Sequence, residues 1–441
     1  MTEAMDKTVA VIGLGKLGLV LAAAIGSRGM PVTGYDTDPD RGAMLTDGPL
    51  DHVDIAQERG LADALLRARP NIAVVPTVIE AVASADISFV VVPTPSLADG
   101  SFSANAAVSV LTAVGEALKE GPPRNRPHLV VLISTVSPGT TRSLLLPTLR
   151  QATGGSEGEA FCFCYAPALV ALGTVLDGFL SPDFAFVGET EPKGGARLTG
   201  VLSHLLTQGT PIHRMSAESV EIAKIGLNNF LTLKISFSNL VGQLCQASPG
   251  ARASDVLGAI GADSRVGARF LGAGMGYGGP CLPRDTAALA HALETEDLDP
   301  RLPQAAAHIN TAHTDWLVSL AGPVKGKKIC VYGLSYRAGS HISIDSASIA
   351  LANALDAAGA KVTGIDPLIG AMDLDALNAG IATAADVADA TVGADSLVLT
   401  IPIPDEDLAG LLVAQPGLRI LDVLDKVPTN EPGVIRFGST A

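Results

Sequence analysis

The stretch Val9-Ala10-Val11-Ile12-Gly13-Leu14-Gly15-Lys16-Leu17-Gly18 decides the fold of the first part of this chain. The short apolar run Thr8–Ile12 predicts a buried strand, and three glycines in the spacing GxGxxG follow it directly. Leu19–Ser27 is typical of a helix, and Pro31–Tyr35 of a second strand that ends at Asp36. The glycines permit a tight turn and let the backbone approach a pyrophosphate at the helix N-terminus. The stretch therefore predicts a Rossmann-like dinucleotide-binding domain.

The acid at the end of the second predicted strand indicates which dinucleotide is bound. Asp36 follows the last glycine of the turn by 18 residues, where a carboxylate accepts the ribose hydroxyls of NAD and repels the 2′-phosphate of NADP. Two further predicted strands, Ile87–Val92 and Leu129–Ile133, each lead to a threonine that binds a ligand or merely makes a turn. The predicted NAD-binding residues are Gly13, Gly15, Leu17, Gly18, Asp36, Arg41, Thr94 and Thr135.

The totals of the chain describe an acidic globular protein. Of its 441 residues, 47% are hydrophobic and 17% are charged, which predicts several packed domains. The net charge of −15 argues against a nucleic-acid partner, which normally requires a basic face. The five cysteines form no disulfide framework and, with the scattered histidines, no metal-ligand spacing. No apolar run has membrane-spanning length, so we expect a reduced cytoplasmic protein without metal, membrane or nucleic acid.

The chain resembles itself near its C-terminus. Strand-like Ile329–Tyr332, helical Ser346–Ala358 and strand-like Lys361–Ile365 repeat the first α/β pattern, and Ala217–Gln246 between the two patterns predicts one long helix. Further stretches predict strands at Phe161–Tyr165 and Arg419–Asp422 and more helix from Thr286 to Trp316. We expect an α/β fold with two Rossmann-like domains joined by a central helical dimerisation region. The predicted domains are residues 1–205, 206–318 and 319–441. The second half lacks GxGxxG, so it is expected to bind another nucleotide-like ligand and not a second NAD.

One loop of the predicted central region carries a thiol. Gly276-Tyr277-Gly278-Gly279-Pro280-Cys281-Leu282-Pro283-Arg284-Asp285 places Cys281 among glycines and prolines, with a cation and an acid close behind. A thiol in such a loop is a candidate nucleophile, and the alternative is a buried, inert cysteine beside a tight turn. Upstream, Lys224 and Asn228 lie four residues apart and share one face of the predicted long helix.

Four blocks in this order carry a resemblance to a known family: the N-terminal dinucleotide turn, Ser134–Thr141, Ala217–Asn239 and Gly261–Asp285. On these blocks the chain resembles the UDP-glucose/GDP-mannose dehydrogenase family. The resemblance implies an enzyme that oxidises the C6 hydroxymethyl of a nucleotide sugar to a carboxylate with two NAD⁺ in sequence. It implies a UDP-sugar as the first substrate to expect, a homodimer or larger oligomer, and a place in polysaccharide or natural-product sugar biosynthesis.

The resemblance also implies residue roles. Cys281 would attack the intermediate aldehyde, and the resulting thiohemiacetal would lose a second hydride to give a thioester that water hydrolyses. Lys224 would stabilise the developing oxyanion with Asn228 beside it, while Asp285 and Thr135 would position water or move protons. Arg265 would reach the active site of the neighbouring subunit. The predicted substrate-binding residues are Lys224, Arg265, Phe270, Leu271, Gly278 and Arg337.

The chain departs from the family pattern at charged positions. The family's Asn-Pro-Glu reads Ala166-Pro167-Ala168, a second acid is replaced by Leu172, and Ile344 stands where the family has an arginine. These changes predict an altered substrate or an altered endpoint, including a single oxidation to a carbonyl product. Two alternatives remain. A β-hydroxyacid dehydrogenase would have no cysteine loop and no second α/β half, and a non-catalytic relative would bind NAD or a sugar nucleotide only.

Overall fold

The computed structural model describes residues 8–384, 386–427 and 433–439. The chain forms two units, Met1–Ile225 and Gly226–Ala441, and the boundary falls within one long helix, α10 (Ala217–Gln246). The predicted division into residues 1–205, 206–318 and 319–441 stays a prediction, and its outer ends, residues 1–7 and 440–441, lie outside the described residues. Among the described residues no helix is long and apolar enough to cross a membrane.

The first unit contains an eight-stranded sheet in the order β3-β2-β1-β4-β5-β6-β7-β8. All neighbouring strands are parallel except β6 and β7, which are antiparallel. The strands are β1 (Val9–Ile12), β2 (Val32–Tyr35), β3 (Ile72–Val74), β4 (Ile87–Val90), β5 (His128–Leu132), β6 (Phe161–Tyr165), β7 (Ala185–Glu189) and β8 (Ile212–Ser216). The helices before α10 are α1 (Lys16–Ser27), α2 (Pro39–Thr46), α3 (Val53–Ala56), α4 (Leu61–Ala68), α5 (Val78–Ala83), α6 (Asn105–Glu120), α7 (Leu146–Thr153), α8 (Val175–Leu180) and α9 (Pro192–Leu205).

Both faces of this sheet are buried at its centre, which explains why the central strands β1, β4, β5 and β6 are buried along their whole length. Side chains alternate along each strand, so Val9 and Val11 enter the core on one face while Ile12 enters the core on the other. The strand order reverses between β1 and β4, and a ligand is expected at the carboxyl ends of the strands at such a reversal. The glycine turn after β1 lies at this position.

The second unit contains a six-stranded, fully parallel sheet in the order β11-β10-β9-β12-β13-β14. Its strands are β9 (Lys328–Tyr332), β10 (Lys361–Ile365), β11 (Ala382–Ala384), β12 (Ser396–Leu399), β13 (Arg419–Asp422) and β14 (Val434–Arg436). Its remaining helices are α11 (Ala253–Ala262), α12 (Leu282–Thr295), α13 (Arg301–Leu320), α14 (Ala347–Ala357), α15 (Val387–Thr391) and α16 (Asp405–Ala414). The strand order again reverses, between β9 and β12.

The two sheets repeat the same turn after their first strand. Gly13 has a φ of 93° and donates its N–H to the carbonyl of Tyr35 at 2.8 Å. Gly333 has a φ of 104° and donates to the carbonyl of Ile365 at 2.7 Å. Left-handed backbone at both positions favours glycine, which is why each strand ends in that residue. The predicted α/β fold with two Rossmann-like sheets is confirmed.

Several sequence-based boundaries differ from the structure. The predicted helical stretch from Thr286 to Trp316 is two helices, α12 and α13, separated by a turn in which Asp297 has a φ of 54° and Pro300 precedes α13. The short strands β3, β8, β11 and β14 were not predicted, because three to five residues of mixed polarity carry little periodic signal. Each of them lies toward an edge of its sheet, where pairing with a neighbouring strand supplies the stabilisation that local pattern lacks.

Candidate active site

The glycine turn of the first unit has the geometry of a pyrophosphate cradle. A Cβ added at Gly13 would overlap the carbonyl oxygen of Val91, and one added at Gly18 would overlap the carbonyl oxygen of Gly13. These two glycines therefore serve the packing of the turn and of helix α1. A Cβ at Gly15 would meet nothing within 4 Å, so the backbone there faces open space at the N-terminus of α1. That space is where the helix dipole and free N–H groups favour an anion, and the residues present fit a dinucleotide.

Asp36 is held against the same turn. Its carboxylate accepts the N–H of Leu14 at 2.5 Å and the N–H of Asp38 at 2.9 Å, one on each oxygen. Oδ1 also accepts the hydroxyl of Thr37 at 3.5 Å, whereas Oδ2 retains an acceptor position, and the residue is half-exposed, so a ribose hydroxyl can still be bound. Arg41 lies on α2, and its Nη1 donates to Asp54 at 3.3 Å. Leu17 packs against the apolar core beneath the turn.

The ends of β4 and β5 are tied together beside the turn. Ser134 accepts the N–H of Val92 at 2.9 Å and donates to its carbonyl at 2.6 Å. These two hydrogen bonds hold the segment before Thr94 next to the segment that begins with Thr135. Thr94 is buried and Thr135 is half-buried. The structure thus places all eight predicted NAD-binding residues in the first unit. Whether each contacts the cofactor stays a prediction.

Glu221, which sequence reasoning missed, holds the loop after β5. Its fully buried carboxylate accepts the N–H of Gly139 at 2.6 Å and the N–H of Thr141 at 2.8 Å. Burial raises the pKa of Glu221, and the two backbone hydrogen bonds oppose that rise. The sequence around Glu221 gives no local signal for this role, because the two N–H groups that its carboxylate accepts lie about 80 residues upstream.

Lys224 is buried and donates from Nζ to the carbonyl of Ala168 at 3.0 Å. The Ala168 segment is therefore part of the lysine's environment through its backbone. The side chains of Ala168, Val170 and Leu172 pack against the apolar core of the unit. Ala168 and Leu172, the two positions where the family pattern has acids, thus belong to the apolar packing and not to an exposed surface.

Cys281 lies at the N-terminus of helix α12 and is exposed. Cys281 is therefore not a buried cysteine, and its role as a nucleophile stays a prediction. The first turn of α12 carries Asp285, whose carboxylate is almost completely buried and accepts the side-chain amide of Asn228 at 2.6 Å. Arg284 lies 3.4 Å from the other carboxylate oxygen, and Asn229 donates to the carbonyl of Asp285 at 2.9 Å. Asp285 and Asn228 are thus joined by a hydrogen bond one turn after Cys281, at a helix end where an anion is favoured, and their catalytic roles stay predictions.

The glycines before Cys281 lie against the turn that carries Ile344. A Cβ at Gly278 would overlap the carbonyl oxygen of Asp345, and the N–H of Gly279 donates to that oxygen at 3.1 Å. Asp345 itself has a φ of 48°, which is uncommon for a residue with a side chain. Ile344 is 56% exposed, so an apolar side chain faces solvent in the turn that meets the cysteine loop.

A cavity of about 590 Å³ opens in the second unit at the carboxyl ends of its strands. It lies at the reversal between β9 and β12, and loops that follow β9, β12 and β13 contribute Ser335, Thr400 and Lys426 to it. Arg337 and Lys426 are its cations. Of the predicted substrate-binding residues, Phe270, Leu271 and Arg337 line this cavity, whereas Arg265 lies elsewhere on the surface in an ion pair with Asp263.

Two Rossmann-type sheets, the first with a dinucleotide turn closed by an acid, are typical of dinucleotide-dependent dehydrogenases with more than one domain. Comparisons with known proteins narrow that class. A model of the UDP-glucose/GDP-mannose dehydrogenase family, NAD binding domain, matches residues 7–206, and the model of the central domain of the same family matches residues 218–312.

Individual relatives agree with these matches. The chain is 33% identical over 365 residues to a UDP-glucose 6-dehydrogenase of Haloferax volcanii, which covers 82% of this chain and 83% of the relative. It is 26% identical over 364 residues to a GDP-mannose 6-dehydrogenase of Azotobacter vinelandii, covering 81% and 80%. A solved UDP-glucose dehydrogenase of Pyrobaculum islandicum superposes with a TM-score of 0.84 at 28% identity, over 99% of this chain and 98% of that one.

The chain belongs to the UDP-glucose/GDP-mannose dehydrogenase family. It is an NAD-dependent oxidoreductase that acts on a nucleotide sugar. The prediction of the family and of NAD as cofactor is confirmed. The alternative of a β-hydroxyacid dehydrogenase is wrong, because both family models and the second α/β sheet contradict it.

Proposed function

We propose that this enzyme oxidises the C6 hydroxymethyl of a nucleotide sugar, with a UDP-sugar as the first candidate, through a covalent adduct on Cys281. The observation that carries the proposal is the cavity of the second unit, because Gly276 of the cysteine loop forms part of its wall. A ligand in the cavity therefore touches the same loop that ends in the thiol.

The chemistry of the cavity supports a nucleotide diphosphate as its ligand. Its volume of about 590 Å³ lies within the range of small-molecule sites. Arg337 and Lys426 supply positive charge for phosphate oxygens, and Phe270, which is 51% exposed, offers an aromatic face. Asp366 follows β10 as Asp36 follows β2. It is not available to bind a ribose, because it is buried and accepts the N–H groups of Leu334 and Ser335.

The proposed chemistry gives these side chains the roles that the family resemblance implies. Bound NAD⁺ supplies the hydride acceptor in both oxidations. In the first, the C6 alcohol loses a hydride and a proton and becomes an aldehyde. The Cys281 sulfur then adds to the aldehyde carbon, and Lys224 and Asn228 stabilise the oxygen anion of the thiohemiacetal. Loss of a second hydride gives a thioester, and water displaces the thiol to release the carboxylate, with Asp285 and Thr135 handling protons.

A second endpoint is favoured by one observation, the apolar packing of Ala168 and Leu172. Neither position offers a carboxylate to activate the hydrolytic water, and general-base assistance typically contributes about 10²–10⁴-fold to such a step. The thioester on Cys281 would then persist and slow turnover. A carbonyl product would form instead if the aldehyde left the site before the second hydride transfer. A catalytically impaired NAD- and sugar-nucleotide-binding relative remains the alternative to both.

The number of NADH molecules formed per sugar separates these outcomes. Purified enzyme is incubated with NAD⁺ and UDP-, GDP- and dTDP-sugars in turn, and absorbance at 340 nm is compared with the sugar consumed. We expect two NADH per sugar with a UDP-sugar and an acidic product by mass spectrometry. One NADH per sugar indicates the carbonyl endpoint. No NADH with any sugar nucleotide, while NAD⁺ still binds, would overturn the proposed oxidation in favour of the binding relative.

We also propose that α10 pairs two copies of the chain. Phe230, Phe237, Leu240 and Leu244 are between 44% and 67% exposed and recur at spacings of seven, three and four residues, which places them along one stripe of the helix. A stripe of this size is unfavourable in water and fits a second copy of itself. Sedimentation equilibrium is expected to give a dimer or a multiple of it. Replacing Phe237 with Lys is expected to shift the protein toward monomer, and an unchanged mass would contradict this interface.

A further inference from the structure

We propose that Asn310 is a positioning residue of the proposed oxidation, because its side-chain amide holds the stretch that joins the wall of the substrate cavity to Cys281. The inference rests on the proposed function for its kinetic consequence and on geometry alone for the positioning. Asn310 lies on α13, outside the cavity lining and outside the predicted site.

The contact of Asn310 is a two-bond pairing with one residue of the cysteine loop. Its Oδ1 accepts the N–H of Tyr277 at 2.8 Å, and its Nδ2 donates to the carbonyl of Tyr277 at 2.9 Å. The side-chain amide thus makes the two hydrogen bonds that the backbone of a neighbouring strand would otherwise make to Tyr277. One side chain satisfies both backbone groups of Tyr277, so displacement of this residue from Asn310 would break two hydrogen bonds together.

The glycine before Tyr277 is what lets the amide approach. A Cβ added at Gly276 would lie 2.6 Å from Oδ1 of Asn310, too close for an ordinary contact. Gly276 also lines the cavity. The residue in the cavity wall and the residue held by Asn310 are therefore consecutive in the chain, and a shift of one moves the other.

Two further side chains hold the start of the same segment. Asn239 accepts the N–H of Gly274 at 2.9 Å and donates to the carbonyl of Met275 at 3.3 Å. His313 lies 2.8 Å through Nε2 from the carbonyl of Gly274, and burial lowers the pKa of His313. The segment Gly274–Tyr277 is therefore attached to α10 and α13 by side chains, and Asn310 holds its last residue.

Tyr277 connects Asn310 to α12, the helix whose N-terminus holds Cys281. Its side chain is buried; burial raises the pKa of the Tyr277 hydroxyl, and the neighbouring side chain of Thr286 in the first turns of α12 opposes that rise. Thr286 in turn donates to the carbonyl of Leu282 at 2.8 Å, one residue after Cys281. Asn310 thus acts on the thiol through Tyr277 and the N-terminal turn of α12.

The chain offers a matched control in Asn353 on α14. Its Nδ2 donates to the carbonyl of Ala376 at 2.8 Å, and its Oδ1 accepts the N–H of Asn378 at 2.9 Å. The number and length of these bonds match those of Asn310, and both side chains are half-buried. The loop that Asn353 holds contributes no residue to the cavity lining or to the cysteine loop. Asn310→Ala and Asn353→Ala should therefore lower the thermal midpoint by similar amounts.

The kinetic test compares the two variants with the wild-type protein in NADH formation from the sugar nucleotide that gives the highest rate. We expect kcat of Asn310→Ala to fall about 10- to 100-fold, since small misplacements of reacting groups have effects of this size. The KM for NAD⁺ should remain within about twofold of wild type, and Asn353→Ala should keep nearly full kcat. An Asn310→Ala kcat no lower than that of the control variant would overturn the proposal.

Hydrogen exchange tests the positioning without any turnover. In Asn310→Ala the amides of residues 275–286 should exchange at least about tenfold faster, including Cys281 and the first turn of α12, while Asn353→Ala should change only residues 374–380. Acceleration confined to Tyr277 would show that the thiol is held independently and would contradict the proposal. If the wild-type protein produced no NADH from any sugar nucleotide, the proposed oxidation would fail, and the exchange pattern would still decide the role of Asn310.

Discussion

Cys281→Ser is expected to abolish acid formation while leaving the binding of NAD⁺ unchanged. A hydroxyl at the end of α12 is a far weaker nucleophile than a thiol, so the aldehyde is not captured and the second hydride transfer is lost. We expect the rate of acid production to fall by at least about 10³-fold, as removal of a covalent nucleophile commonly does. The NADH formed per sugar should drop from two to one or less, measured at 340 nm with product analysis by mass spectrometry.

A second cysteine provides the control. Cys245 is buried in an apolar cluster with Ala253 and Leu257. Cys245→Ser removes a thiol from the same unit without touching the end of α12, and it should retain two NADH per sugar. Acid production by Cys281→Ser at the wild-type rate would rule out the covalent mechanism. It would leave the family assignment and the NAD site intact.

Gly13→Ala and Gly15→Ala are expected to fail in different ways. At Gly13 an added methyl overlaps the carbonyl of Val91, and the backbone has a φ of 93°, so the substitution strains the turn in the free protein. We expect a lower thermal midpoint and loss of NAD⁺ binding together. At Gly15 the methyl meets nothing within 4 Å, so the free protein should keep its thermal midpoint.

The affinity for NAD⁺ is what Gly15→Ala should change. The methyl occupies the open space above the N-terminus of α1, where the pyrophosphate approaches the backbone, so we expect the dissociation constant to rise at least about tenfold, equivalent to about 1.4 kcal/mol. Isothermal titration calorimetry with NAD⁺ measures the change, and differential scanning calorimetry measures the stability of both variants. Unchanged NAD⁺ affinity in Gly15→Ala would show that the cofactor does not approach this turn closely.

Much of the fold could be predicted because its signals are local. The helix Ala217–Gln246 and the strands Phe161–Tyr165, Lys361–Ile365 and Arg419–Asp422 have the predicted bounds, since each is a continuous run of suitable residues. The break between α12 and α13 was missed, because Asp297 adopts a left-handed turn that its residue type does not announce.

The candidate site was predictable to the extent that motifs carry it. Cys281, Asp285 and the glycine turn stand out by spacing and by resemblance, and Asn228 was found on the helix face it shares with Lys224. Glu221 and Asn310 were missed. Each is an ordinary polar residue in a helix, and its partners lie about 80 and 33 residues away along the chain. No local pattern encodes a contact at that separation.

The sequence by itself determined the family, the NAD cofactor and the presence of a thiol loop, because these depend on residue types at short fixed spacings. Only the tertiary structure decided that Cys281 is exposed at a helix N-terminus, that Ala168 and Leu172 pack against a core, and that a cavity shares the cysteine loop as its wall. Burial and contact are set by segments far apart in the chain, since packing energy accrues only when those segments meet. The dinucleotide turn illustrates both parts. Its glycine spacing can be read from the sequence, whereas the structure shows that Gly13 packs against Val91 and that Gly15 faces open space.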